Sequence, residues 1–303
     1  MLVGNGVNLF DRASGAPDWA QLLVGLLPTS MNPDMQLLLK NKDSNGITYP
    51  EIFDLAVLQT RISLPSLPLP APSKRHPITT DLKNRISRQL EGFNPNAAHE
   101  AVVGFCQRHA MPLLTTNFDH ALEKAASATH FATRKITTPY YRWETYHSPA
   151  RLVSPLQAFG IWHVHGSIRV PNSLRLGLND YAGAIQRVRP DLTPFSDWVF
   201  NGKHGTPPAC AKNLQDTWIE IFLTRHPIIV GLNLSPYEML LRWLLIQRAT
   251  VHSKSGPDSC KGIYIRPKAD KGLLGMNEFL KFCGIEVIDV DDYSDCYDLF
   301  QAR

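Results

Sequence analysis

Short apolar runs alternate with longer amphipathic segments along this chain, a pattern that predicts strands alternating with helices. The clearest strand is 112–116, where Leu113 and Leu114 precede two β-branched threonines, and the apolar-periodic segment 120–126 after it predicts a helix. Further strands are predicted at 133–138, 161–168, 227–231, 262–265 and 285–288. This alternation favours an α/β fold with a doubly wound sheet.

The first strand and two helical stretches complete the predicted organisation. Met1 to Val3 forms a short apolar run that leads into the glycine turn at 4–6, and because it is so short we expect the natural chain to begin upstream of Met1. Helical patterns interrupt the strands at 31–100 and 179–223. We therefore expect a single domain over 1–303 with two helical insertions.

Composition and charge exclude several classes of protein. Hydrophobic residues make up 44% of the chain and charged residues 19%, as in soluble globular proteins. The net charge of +4, without a basic block, gives direct nucleic-acid binding little support. The longest apolar run, 239–246, is too short to span a membrane. The five cysteines form no CxxC pair and follow no secretory leader, so we predict a cytoplasmic protein without a cysteine zinc site.

Polar or glycine residues stand at four predicted strand ends, whereas the strands themselves are apolar. They are Gly4-Asn5-Gly6, Asn117-Phe118-Asp119, His165-Gly166 and Gly231-Leu232-Asn233. In a parallel α/β sheet, ligands bind beyond the carboxyl ends of the strands, so these residues predict a site at that edge. Each also has a structural explanation, since Asn117 or Asp119 could cap a helix and His165 could bond a backbone carbonyl. Asn5 and Asn8 could equally be turn formers.

Five short motifs follow one another along the chain. They are Gly4-Asn5-Gly6-Val7-Asn8, Gly15-Ala16-Pro17-Asp18-Trp19, Thr115-Thr116-Asn117-Phe118-Asp119, His165-Gly166-Ser167 and Gly231-Leu232-Asn233-Leu234-Ser235. In this order and spacing they resemble the SIR2-like (sirtuin-related) NAD-binding domains of bacterial antiphage defence systems. The resemblance covers nearly the whole chain outside the insertions. It implies a Rossmann-like doubly wound parallel sheet with NAD, as substrate, across its edge.

The resemblance also implies roles for individual residues. The turn at 4–6 would cradle the pyrophosphate, and 231–235 would contact the adenosine half of NAD. Asn117 would hold the nicotinamide ribose or an attacking water, Asp119 the nicotinamide carboxamide, and His165 would be the general base. The implied catalytic residues are thus Asn117 and His165, and the implied NAD-binding residues are Gly4, Asn5, Gly6, Asn8, Asp119, Gly166, Gly231, Asn233 and Ser235.

These residue types suit cleavage of the nicotinamide–ribose bond. The reaction builds oxocarbenium character on the sugar, as in glycoside cleavage. An amide can orient water without quenching that cation, and a histidine can accept a proton near neutral pH. His163 lies two residues before His165 and is expected on the same side of the strand, as a weaker supporting candidate.

Departures from the protein-deacylating sirtuins matter as much as the resemblance. Those proteins carry a zinc module with two CxxC pairs, which this chain lacks, and helical insertions take its place. Thr116 stands where they have a glutamine. These differences disfavour an acetyl-lysine channel and favour water as the acceptor, with no metal expected.

We therefore expect an NAD+ hydrolase (NADase) that releases nicotinamide and ADP-ribose, and by resemblance one that depletes NAD after phage infection. An NAD-dependent protein deacylase and a non-catalytic module that binds NAD or ADP-ribose remain alternatives. A nuclease subunit is weaker, because no carboxylate cluster has metal spacing. By resemblance we also expect a homo-oligomer or a partner protein such as a HerA-like ATPase. Helices near Met35 and Tyr181 and the aromatic run 140–143 are candidate contact surfaces, or ordinary core.

Overall fold

A computed structural model describes residues 1–10, 17, 19–26, 47–63, 77–136, 138–200, 208, 211–253, 261–270 and 274–301. The predicted helix near Met35, the proline-rich run 64–70 and the motif residues Gly15, Ala16 and Asp18 lie outside these ranges.

The centre of the molecule is an eight-stranded, mostly parallel sheet. Its strands are β1 (Leu2–Val3), β2 (Leu113–Thr115), β3 (Thr129–Ala132), β4 (Thr145–Ser148), β5 (Ile161–His163), β6 (Ile228–Val230), β7 (Gly262–Pro267) and β8 (Ile285–Val290). They lie in the order β3-β4-β5-β2-β1-β6-β7-β8. Six neighbouring strands in this order are parallel: β5, β2, β1, β6, β7 and β8. Strands β3 and β4 add an antiparallel edge next to β5. This confirms the predicted α/β, Rossmann-like sheet.

The winding of the sheet reverses between β1 and β6. Counted in chain order, the six parallel strands lie as 3-2-1-4-5-6. In such sheets the crevice at the reversal, beyond the carboxyl ends of the strands, is where ligands bind. The turns that follow β1, β2 and β6 are therefore the turns nearest to a ligand-binding crevice.

Helices connect the strands and cover the sheet. Those in the described residues are α1 (Gly6–Leu9), α2 (Trp19–Val24), α3 (Tyr49–Ile62), α4 (Pro77–Gln89), α5 (Ala97–Arg108), α6 (Ala121–Ala125), α7 (Leu178–Phe200), α8 (Trp218–Thr224), α9 (Met239–His252), α10 (Leu274–Phe282) and α11 (Asp295–Asp298). None of the helices in these ranges combines the length and apolar composition needed to cross a membrane.

Both faces of the sheet are buried, because successive residues of a strand point to opposite faces. Leu2, Leu114 and Ile229 pack with α7, α8, α9 and α10 on one face. Their neighbours Val3 and Val230 pack with α1, α5, α6 and α11 on the other. Trp143 of the aromatic run is 5% exposed and belongs to the first core.

A third, smaller core lies beside the carboxyl end of β2. Helices α2, α3 and α4, which lie between β1 and β2 in the chain, bury their apolar faces against one another there. Phe118 inserts into this core, with its ring edge-on to Trp19 at 5.3 Å between centroids. The helical layer thus holds the residue between Asn117 and Asp119.

Two predicted strands differ from the structure. The strand predicted at 133–138 is wrong, because β3 ends at Ala132 and bends follow; β4 was not predicted. The strand predicted at 161–168 ends at His163, because the chain turns through Gly166, whose φ is +90°. A side chain at Gly166 would meet the Ser173 carbonyl oxygen at 2.1 Å, so glycine permits this turn.

Candidate active site

A cleft of about 450 Å³ opens beside the turns that follow β1 and β2. Its lining residues are Asn5, Asn8, Pro17, Trp19, Leu22, Leu90, Phe93, Thr116, Asn117, Phe118, Asp119, His165 and Glu238. An apolar wall with a few convergent polar groups is typical of small-molecule sites. We call it the Asn117 cleft.

Hydrogen bonds fix the backbone of Asn117, whereas its side chain is unpaired within the described residues. Its N–H donates to the Thr115 hydroxyl at 3.1 Å, and its carbonyl accepts from His163 Nδ1 at 2.8 Å. The side chain is 5% exposed, yet neither its oxygen nor its nitrogen has a hydrogen-bond partner within the described residues. A buried polar group without a partner costs about 1–3 kcal/mol, so such groups call for an explanation such as a ligand.

The capping alternative is wrong for Asn117 but holds for Asp119. Asp119 Oδ1 accepts from the Ala121 N–H at 2.9 Å, at the start of α6. Its other oxygen, Oδ2, accepts from Asn8 Nδ2 at 2.7 Å. Asp119 therefore both caps a helix and presents a fixed carboxylate at the cleft wall.

Asn8 is held by a chain of polar contacts that leads away from the cleft. It also donates to Asn5 Oδ1 at 2.9 Å, and its own Oδ1 accepts from His99 Nε2 at 2.8 Å. Burial lowers the pKa of His99 to about 4, although the charge of Asp119 opposes the shift. A neutral ring that donates from Nε2 thus sets the orientation of the Asn8 amide.

His165 lies in the turn after β5, is 1% exposed and lines the same cleft as Asn117. Its Nε2 lies 2.8 Å from Glu238 Oε2, and its ring meets Tyr181 edge-on. Nδ1 has no partner within the described part of the chain. Because a carboxylate accepts, the pairing favours the proton on Nε2 and leaves the Nδ1 lone pair for a substrate proton.

Sequence reasoning missed Glu238. The residue precedes α9 directly, where an acidic side chain is ordinary because it complements the helix dipole. Its spacing from His165, 73 residues, carries no signal, so only the folded chain brings the two together.

His163 does not share the position of His165, contrary to the prediction. Because β5 ends at His163, the two rings lie in different cavities, and His163 lines a second one of about 300 Å³. Its Nε2 contacts Glu123 Oε1 at 2.5 Å, while Nδ1 donates to the Asn117 carbonyl. His163 therefore supports the Asn117 backbone from outside the cleft.

Glu123 and His163 form a buried ion pair. Burial alone would raise the pKa of Glu123, but the charge and hydrogen bond of His163 outweigh it and lower the pKa to about 2. Burial likewise opposes the charge on His163, but Glu123 raises the pKa of the ring above its ordinary value. Both ring nitrogens of His163 then donate, Nε2 to Glu123 Oε1 and Nδ1 to the Asn117 carbonyl.

Three further histidines surround this pair, and we call Glu123 with His120, His130, His147 and His163 the histidine cluster. The His147 ring centroid lies 5.6 Å from that of His120, 5.2 Å from that of His130 and 5.6 Å from that of His163. His147 Nδ1 is 3.4 Å from Glu123 Oε1, yet neither ring nitrogen makes a hydrogen bond with the residues that the structure describes. Burial lowers the pKa of His147 to about 3, so the ring is neutral and the contact is not an ion pair.

The glycines of the turns after β1 and β6 serve packing. A side chain at Gly4 would meet the Gly231 carbonyl oxygen at 2.5 Å, and one at Gly6 would meet Tyr293 Oη at 1.9 Å. Gly231 has a φ of +62°, and a side chain there would meet Tyr297 Oη at 2.3 Å. The absence of side chains therefore lets the two turns pack together.

The predicted NAD-binding residues fall into two groups. Asn5, Asn8 and Asp119 line the Asn117 cleft together with the predicted catalytic residues. Six lie outside its lining, and their contacts with NAD stay predictions: Gly4, Gly6, Gly166, Gly231, Asn233 and Ser235. Gly166 lines the second cavity, Asn233 is exposed, and Ser235 is buried with no partner for its hydroxyl in the described chain.

One family model matches part of the chain. Residues 112–243 match the model of the SIR2-like domain, whose members use NAD. A search of curated proteins finds no match. The matched segment contains Asn117, Asp119, His165 and Glu238, and it runs from β2 into α9. The segment 112–243 is therefore similar to a SIR2-like domain, which supports a function that involves NAD.

Proposed function

We propose that this protein is an NAD+ glycohydrolase and that the Asn117 cleft is its active site. The observation that carries the proposal is the Asn117 side chain, which is buried, has no hydrogen-bond partner in the described residues and lines the cleft beside His165. A fold does not keep such an amide for its own stability, because leaving it unpaired is unfavourable. It is suited to a polar substrate or to a water molecule.

In the proposed reaction, the bond between nicotinamide and the ribose breaks and its electron pair leaves with nicotinamide. A water oxygen forms the new bond to the same ribose carbon. Asn117 orients this water through Oδ1, and Nδ1 of His165 accepts its proton before passing it to solvent. The products are nicotinamide, ADP-ribose and one proton. Glu238 keeps the ring oriented by holding Nε2.

The surroundings of these groups support hydrolysis. Positive charge develops on the ribose, and the Asp119 carboxylate at the cleft wall would favour it. Trp19, Leu22 and Leu90 form an apolar wall that limits the access of bulk water. The resemblance to defence proteins supports NAD depletion during phage infection as the biological role, with activation by self-assembly or by a partner protein.

The test is NAD+ consumption by the purified chain, alone and with the products of neighbouring genes, with products identified by chromatography. We expect nicotinamide and ADP-ribose from the wild type. In Asn117→Ala and His165→Ala we expect kcat to fall at least about 100-fold, as when an oriented polar group or a general base is removed. Asn84→Ala and His109→Ala, at exposed positions, are matched controls that keep the wild-type rate.

Other outcomes identify the alternatives. Turnover that requires an acetylated peptide would indicate a deacylase. NAD that binds without turnover, in every assembly state, would overturn the enzyme proposal and leave a binding module. Wild-type rates in Asn117→Ala would show that Asn117 does not orient the attacking water.

A further inference from the structure

The histidine cluster lies outside the Asn117 cleft and has a donor set of its own. Glu123, His147 and His163 each offer a ligand atom, and these atoms all lie within 4.8 Å of one another. From these contacts we propose that the cluster binds a divalent transition-metal ion, with Zn²⁺ the best match. Two imidazoles and one carboxylate are a common protein donor set for zinc. No sequence motif indicates this site, because its ligands lie far apart in the chain and follow no metal-binding spacing.

The side chains that would hold the ion are buried and incompletely paired. Glu123 is 5% exposed and His147 is 6% exposed. Within the described residues, Glu123 Oε2 and both ring nitrogens of His147 lack hydrogen-bond partners. Unpaired buried polar atoms are unfavourable for the fold, and a bound cation would take up the lone pair of one His147 nitrogen and part of the charge of the Glu123 carboxylate.

The distances suit a tetrahedral ion after one adjustment. Ligands at about 2.0–2.2 Å from zinc lie about 3.3 Å from one another. His147 Nδ1 and Glu123 Oε1 already stand 3.4 Å apart. The contact between His163 Nε2 and Glu123, at 2.5 Å, must open as the ion displaces the Nε2 proton, which goes to solvent.

The other nitrogen of His163 is held as metal-binding histidines usually are. Its Nδ1 donates to the Asn117 carbonyl at 2.8 Å, which fixes the ring and directs Nε2 toward Glu123 and His147. His120 is a candidate for a fourth ligand, since its ring centroid lies 5.6 Å from that of His147 and 5.8 Å from that of His163, but its Nε2 would first have to leave the Ser167 hydroxyl, 2.7 Å away. A water molecule is the alternative fourth ligand.

The proposed ion would sit behind the Asn117 backbone, one histidine away from it. It would position Asn117 without touching a substrate in the cleft. The binding of the ion stands independently of NAD cleavage, and its test therefore measures metal.

The variant that separates a metal site from a simple ion pair is His147→Phe. Because the His147 ring makes no hydrogen bond within the described residues, phenylalanine removes a ligand without breaking a hydrogen bond there and leaves the Glu123–His163 pair in place. The untagged full chain is loaded with Zn²⁺, desalted and analysed by mass spectrometry. We expect about one equivalent of zinc per chain in the wild type and in the control His109→Ala, at an exposed position.

In His147→Phe we expect zinc affinity to fall at least about 100-fold, with the far-ultraviolet circular dichroism unchanged. Added Zn²⁺ should raise the melting temperature of the wild type but not of this variant. Glu123→Gln, which keeps an acceptor for His163, serves as a second ligand variant should the first fail to fold. Cobalt loading of the wild type should give the visible bands of a tetrahedral site.

A wild-type chain that retains no zinc after loading would overturn the proposal and leave a buried ion pair. Full zinc content in both His147→Phe and Glu123→Gln would also overturn it, because the ion would then lie elsewhere.

Discussion

The Asn117 cleft and the histidine cluster lie on two sides of the loop that follows β2, and their polar groups are paired differently. In the cleft, Asp119 and Glu238 each accept from a side chain oriented by the fold, namely Asn8 and His165. In the cluster, the Glu123 carboxylate faces a charged imidazole and a neutral one. The cleft is thus arranged to present groups to a substrate, and the cluster to hold a charge in the interior.

Asn117 belongs to both regions, with its side chain at the cleft and its carbonyl bonded to His163. Contacts that fix a backbone from behind leave the side chain free for chemistry. The comparison therefore predicts that variants of the cluster change stability, whereas variants of the cleft change rate.

The largest expected effect is on the cluster side. Glu123→Ala leaves His163 buried without its counter-charge, and the free energy of unfolding should fall by about 3–5 kcal/mol. Asn117→Ala breaks no side-chain hydrogen bond in the described structure and should change the free energy of unfolding by less than about 1 kcal/mol. Urea denaturation measures both, with the exposed Glu278→Ala as control. Equal losses in Glu123→Ala and Asn117→Ala would remove the distinction between the two regions.

The next effect concerns the cleft. In Glu238→Gln the amide can donate to His165 Nε2, so the ring proton moves to Nδ1 and the proposed base is lost. We expect kcat for NAD+ cleavage to fall on the order of 100-fold while the free energy of unfolding changes little. Steady-state kinetics beside the exposed control Glu286→Gln measures the change. A rate within twofold of the wild type would show that Glu238 does not orient the base.

The smallest effect tests a turn that belongs to neither cavity. Gly231→Ala places a side chain at positive φ and within 2.3 Å of Tyr297 Oη, so the free energy of unfolding should fall by about 1–3 kcal/mol. Adding Tyr297→Phe should recover part of the loss. Gly275→Ala is the matched control, because among the described residues no atom outside its own stretch of helix lies within 4 Å of the added carbon. A Gly231→Ala chain as stable as the control would show that packing does not require this glycine.

Much of the fold could be predicted from the sequence because its strands are short apolar runs that end in glycine or polar residues. This signal located β2 and β6 and the ends that carry Asn117 and Asp119. It failed at β4, whose sequence Thr145-Tyr146-His147-Ser148 places polar side chains in the interior. The strand wrongly predicted at 133–138 rested on β-branched residues that follow the true strand, β3.

The site was predictable only where its residues share a motif. Asn117, Asp119 and His165 follow strands and could be assigned to one sheet edge before the structure was known. Glu238 and the histidine cluster depend on contacts between residues far apart in the chain, such as Glu123 and His163, which are separated by 40 positions. Nothing local distinguishes a buried histidine in such a cluster from one on the surface.

Phe118 connects the helical layer of α2, α3 and α4 to the residues of the Asn117 cleft. Its ring is anchored among α2, α3 and α4, while the residues on either side of it line the cleft. A rigid shift of that layer would move Asn117 and Asp119 with it. A displacement of about 1 Å at a reacting group can lower a rate about 100-fold. We therefore expect a shift of the outer helices to reach Asn117 and Asp119 through the Phe118 ring.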